Sequence, residues 1–115
     1  KGNADVTVLR QLTAPYVVLD DGNVRNQIRV KIVNRSGGDR TYTMSIEGVD
    51  DAAILAPQFP LKVANDDTAT SPVFVTLPKE RFEGGRLDID VHVEDGEGFA
   101  TDVSFMLLGP EGEAR

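Results

Sequence analysis

Cysteine and tryptophan are absent from this 115-residue chain, histidine occurs once, at His92, and aromatic residues make up only 6%. Each scarcity removes a class of chemistry. Without cysteine there is no disulfide framework, no thiolate-held metal or iron–sulfur cluster and no thiol nucleophile. A single histidine rules out a multi-histidine metal centre within one chain. Positive charge is also short: 12 Lys and Arg face 19 Asp and Glu, a net charge of −7. A nucleic acid or an anionic membrane surface needs the opposite balance. Long apolar runs are missing too, for Ala52–Pro57 and Phe105–Leu108 are far too short to cross a bilayer. No signal-peptide pattern is visible, and an absence of cysteine does not itself assign a compartment. The chain starts at Lys1 rather than Met, from which we expect a processed chain or a soluble piece of a longer one.

What is present is a period of two. At 40% hydrophobic the chain can fill a core, and its apolar residues alternate as on one face of a strand. Val6 and Val8 open the pattern, with Arg10 on the same face. After the turn signal Asp20-Asp21-Gly22-Asn23, the run Val24–Asn34 turns Ile28, Val30 and Ile32 one way. Ser36-Gly37-Gly38-Asp39 reads as a hairpin turn into Tyr42, Met44 and Ile46, so that these two runs are expected to pair. Pro57 and Pro60 confine the middle to short edge strands near Ala53–Leu55 and Leu61–Val63. Val73, Val75 and Leu77 alternate next, then Leu87, Ile89, Val91 and Val93, and finally Val103, Phe105 and Leu107. Lys79–Phe82 has room for at most one helical turn, and no segment carries a helical stripe.

About seven short strands with regular turn signals predict an all-β, Ig-like antiparallel sandwich of Greek-key type, with a small closed barrel as the competing architecture. The cysteine pair and tryptophan of antibody domains are missing. One domain is expected over residues 1–110, followed by a tail over 111–115.

The search for chemistry returns little. No serine lies in a nucleophile-elbow context, so no catalytic residue is assigned. The most site-like pattern is the stripe Asp88, Asp90, His92 and Glu94, whose carboxylates and imidazole are the metal candidates of this sequence. The plainer reading of the same stripe is the wet face of a strand, its repulsion relieved by Lys or Arg on a neighbouring strand. Asp20–Asn23 and Asn65–Asp67 have the residue types of calcium loops without the spacing. Met44 and Met106 form no copper motif with His92, and Met44 is expected to fill the core. Asn26, beside Arg25, is expected to be buried and to hold a loop through its backbone groups, with a partner-binding role ranked second.

Several segments together carry a resemblance: Val8-Leu9-Arg10, Pro15-Tyr16, Gly22-Asn23-Val24-Arg25-Asn26, Lys31-Ile32-Val33-Asn34 and Ser45-Ile46-Glu47-Gly48, in that order. The string is similar to the C-terminal Ig-like domain of the FixG/CcoG family of cytochrome c oxidase accessory proteins, over nearly the whole chain. The resemblance implies a full-length protein anchored in the inner membrane that holds two [4Fe–4S] clusters in a cytoplasmic part and assists assembly of cbb3-type oxidase, where copper reduction has been proposed. It places the Ig-like domain on the periplasmic side. The cluster cysteines cannot be carried over, so this piece is expected to hold no cofactor and to be no enzyme. Its expected partners are an oxidase-assembly protein or its own membrane part, met by strand addition at the edges around Leu61–Val63 and Tyr16–Leu19. The alternative is an unrelated cell-surface or carbohydrate-binding sandwich module, which the low aromatic content does not favour.

Overall fold

Period-two alternation becomes two facing antiparallel sheets in a computed structural model that describes residues 3–111. The strands are β1 (Asn3–Arg10), β2 (Val17–Val18), β3 (Asn23–Arg35), β4 (Arg40–Glu47), β5 (Ala53–Leu55), β6 (Leu61–Val63), β7 (Thr68–Pro78), β8 (Arg86–Glu94) and β9 (Ala100–Leu108). One sheet runs β1-β3-β7-β5, with β2 also paired to β3, and the other runs β6-β4-β8-β9. This is the two-sheet order of an Ig-like sandwich, with β6 added beside β4. The barrel alternative falls, because the two sheets keep separate edges. Of the expected tail, residues 112–115 lie outside the described residues.

The alternating residues named above meet between the sheets. Ile28, Val30 and Ile32 of β3 and Val73, Val75 and Leu77 of β7 are buried against Tyr42, Ile89, Val91, Val93 and Leu107. Each such Val, Ile or Leu contributes about 1.5–3 kcal/mol relative to exposure. Met44 is half-buried against this cluster, as a gap-filling thioether should be. The edge strands at Ala53–Leu55 and Leu61–Val63 fall where the prolines confine them. Lys79–Arg81 forms a single turn of 3-10 helix.

Three expectations change. The structure has nine strands rather than about seven, because a two-residue strand such as β2 is too short to show alternation. Secondly, β3 and β4 are not a hairpin: they lie in different sheets. Asn34 explains the corner between them. Its carboxamide donates to the carbonyls of Gly38 and Val63, both at 2.9 Å, and accepts from Ser36 N–H at 2.9 Å. The turn therefore wraps around a buried side chain that is also bonded to β6 of the opposite sheet, and the chain leaves the plane of β3. Thirdly, Asn26 is buried as expected but holds no loop; it bonds to the backbone of Leu108 at the edge of the opposite sheet.

The true hairpin joins β8 to β9. Asp95 builds its turn by accepting from the N–H groups of Glu97 (2.7 Å) and Phe99 (3.0 Å). Its other oxygen lies 3.5 Å from Arg40 Nε, and its side chain is only 3% exposed. Tyr42 meets Phe99 edge-on beside this turn, with ring centroids 6.3 Å apart. Its buried hydroxyl finds no hydrogen-bond partner among the described residues. Burial, reinforced by the charge of Asp95 and opposed by Arg40, pushes the phenol above its ordinary pKa.

Candidate functional site

Strict alternation along β8 sends Ile89, Val91 and Val93 into the core and therefore Asp88, Asp90, His92 and Glu94 to the outer face of the four-stranded sheet. All four expected residues lie in one row. Cross-strand register decides what they meet. On β9, Met106 stands opposite Asp88, Ser104 opposite Asp90 and Asp102 opposite His92. On β4, Glu47 pairs with Asp90 and Ser45 with His92.

His92 is the centre of the row. Its Nδ1 is 2.7 Å from an Asp102 carboxylate oxygen, and its Nε2 is 3.6 Å from Glu94. Ligand atoms of Glu47, His92 and Asp102 lie within 4.8 Å of one another. The hydrogen bond to Asp102 raises the His92 pKa above its ordinary value of 6.5, helped by Glu94 and by the charges of Asp102 and Glu47, against a smaller opposing desolvation. Asp90 is engaged differently, accepting from Ser104 Oγ at 3.0 Å.

Relief by Lys or Arg on the neighbouring strands does not occur. Those strands add two further carboxylates, Glu47 and Asp102. Among the described residues, the basic group paired with this face is His92 itself, a cation when protonated; Arg35, Arg40 and Arg81 bond to acids elsewhere. Of the four sequence candidates, then, His92 is drawn together with Asp102 and Glu47 and flanked by Glu94. Asp88 and Asp90 line an adjoining shallow groove of about 430 Å³ with Glu47, Ser104 and Met106. Asp102 and Glu47 were invisible as site residues because only strand register brings them to His92; the alternation that sets both outward was in the sequence.

A second surface lies on the outer face of the other sheet. Val17, Arg25, Thr76 and Ala53 form one cross-strand row, and Gln27, Phe74 and Leu55 form the next. The Arg25 guanidinium sits 5.9 Å from the Phe74 ring centre. A cleft of about 130 Å³ separates these residues from the β1–β2 connection at Thr13, Ala14 and Tyr16. Val18, Ile54 and Leu12 are also exposed here or at the flanking edges, Leu12 at 87%.

Residues 1–110 match the family described as "IG-like fold at C-terminal of FixG, putative oxidoreductase". The chain is 31% identical to nitrogen fixation protein FixG of Rhizobium meliloti, an alignment covering 94% of this chain and 23% of that protein. It is 30% identical to protein RdxB of Cereibacter sphaeroides, covering 79% of this chain and 20% of that protein. It thus spans about a quarter or less of the curated relatives it matches. The crystal structure of a FixG-related protein from Vibrio parahaemolyticus shares the fold with a TM-score of 0.78 at 16% identity, covering 95% of this chain and 98% of that one. With the sandwich topology and the match over nearly its whole length, the chain belongs to the family of Ig-like domains found at the C-terminus of FixG.

Proposed function

We propose that this chain is the non-catalytic docking or spacer domain of a membrane-bound iron–sulfur protein, held on the periplasmic side, that serves assembly of a cbb3-type cytochrome oxidase. In this reading the clusters and any copper reduction or delivery belong to the rest of that protein. Family membership supports the assignment, and a chain spanning 23% of FixG leaves most of such a protein elsewhere.

The observation that carries the docking role is the pair of short edge strands with exposed apolar side chains. Val18 is 50% exposed on β2 and Leu55 is 59% exposed on β5, at the same end of the five-stranded sheet. These are opposite edges of that sheet, and apolar groups of this size on unpaired edges suit strand addition by a partner. Of the two edges expected from sequence, the one around Tyr16–Leu19 suits docking better. At β6, Val63 is buried and Lys62 faces outward, which is how an edge is protected from pairing.

The test uses the full-length protein in membranes. Val18→Lys with Leu55→Lys is expected to lower both the yield of assembled oxidase and the co-purification of its subunits or of the membrane part. Variants that accumulate normally and leave both quantities unchanged contradict the docking role.

A further inference from the structure

We propose that Glu47, His92 and Asp102 form a binding site for one divalent transition-metal ion of the zinc or nickel class. The site stands on side-chain geometry and is independent of the docking reading, which concerns the opposite sheet.

The three residues come from β4, β8 and β9, adjacent strands of one sheet, so their backbones are fixed by the register. One imidazole nitrogen and two carboxylates make a mixed nitrogen–oxygen donor set, which suits borderline divalent ions better than soft copper(I). The existing spacing is close to what coordination needs. His92 Nδ1 and the Asp102 oxygen are 2.7 Å apart. With metal–ligand bonds of about 2.0–2.1 Å, that separation subtends roughly 80° at the ion, near the right angle between neighbouring octahedral ligands. Glu47, also exposed, has the freedom to close from within 4.8 Å.

Binding exchanges a proton for the metal. From the protonated ring, whose Nδ1–H donates to Asp102, the ion displaces that proton to solvent and bonds to both atoms. Neutral imidazole then keeps its remaining N–H on Nε2, which faces Glu94 at 3.6 Å. That distance is longer than a hydrogen bond, so Glu94 adds negative charge beside the ring without fixing its tautomer. The electrostatics favour a cation here, since no Lys or Arg among the described residues pairs with Glu47, Glu94 or Asp102.

The experiment titrates Zn2+ into the 115-residue chain, without a histidine tag, followed by calorimetry and by the His92 ring signals in NMR. Saturable one-to-one binding that shifts those signals is expected. His92→Ala, Glu47→Gln and Asp102→Asn should each weaken it by about 10-fold or more, at least the loss that removal of an outer-shell partner causes. Asp88→Asn, on the same face but outside the triad, should leave affinity within about twofold, the scatter of a surface change remote from the ligands. Each variant is checked for its folded amide spectrum; should His92→Ala not fold, the two carboxylate variants decide. No saturable binding up to about 1 mM Zn2+, a free energy of about −4 kcal/mol, overturns the site. So does an equal loss in Asp88→Asn, which would mark diffuse attraction to an acidic face.

Discussion

The Asn26 carboxamide grips both backbone groups of Leu108: Nδ2 donates to the carbonyl oxygen at 2.8 Å and Oδ1 accepts from the N–H at 3.0 Å. Asn26 belongs to β3 of one sheet and Leu108 to β9 of the other, so a side chain does between the sheets what backbone does within one. It closes the sandwich near the end of β9, where the chain of the domain runs out of strand.

Asn26→Ala removes two hydrogen bonds and strands the partner groups at a partly buried position. Unfolding stability is expected to fall by about 2–4 kcal/mol, read as the urea midpoint at unchanged slope. A loss below about 0.5 kcal/mol would place the bond among replaceable surface contacts.

Tyr42→Phe should act in the opposite sense. The hydroxyl is buried without a partner among the described residues, so its removal discards a desolvated polar group and keeps the ring contact with Phe99. The variant is expected to match the parent or exceed it by up to about 2 kcal/mol. A clear loss of stability would mean that the hydroxyl is bonded after all.

Ile32→Asp tests the register of the core. Ile32 is completely buried and faces the other sheet. An uncompensated carboxylate there costs several kcal/mol, comparable with the total of about 5–15 kcal/mol that holds such a domain together. The variant is expected to be unfolded by circular dichroism and amide dispersion; a cooperatively folded Ile32→Asp protein contradicts the register.

His92 gives the pH dependence. Its pKa in the metal-free fold lies above the ordinary 6.5, chiefly through the hydrogen bond to Asp102. The stabilisation from the charged ring is therefore fully present below the unfolded pKa and disappears as pH rises through the folded one. Stability should decline over a window starting near pH 6.5 and ending above the raised pKa. Asp102→Asn should move the ring titration back towards its ordinary value. A His92 signal titrating at or below 6.5 in the parent protein would contradict the pairing.

Much of this architecture could be read from the residues, for a physical reason. A strand with one wet face must alternate, so Ile28–Ile32, Val73–Leu77 and Ile89–Val93 declare their inward faces. Proline does the same for the short edges at Ala53–Leu55 and Leu61–Val63. Alternation does not say which sheet a strand joins, because an inward face is equally buried beside a neighbour or opposite it. Hence Ser36–Asp39 read as a hairpin turn, whereas Asn34 bends the chain across to the other sheet. The candidate site followed the same logic. The row Asp88, Asp90, His92 and Glu94 was legible along one strand, but Asp102 and Glu47 needed a register that no local pattern specifies.

The central claim is that the chain serves as a docking domain of a larger membrane protein, through the end of the five-stranded sheet where β2 and β5 lie on opposite edges. It is tested most directly by a photo-crosslinking residue placed in the full-length protein at Leu55, with Lys31 on β3 as the control position. Cross-links from Leu55 to an oxidase subunit, or to the protein's own membrane part, and none from Lys31 are the expected result. Equal cross-linking from both positions, or none from either, would contradict the account.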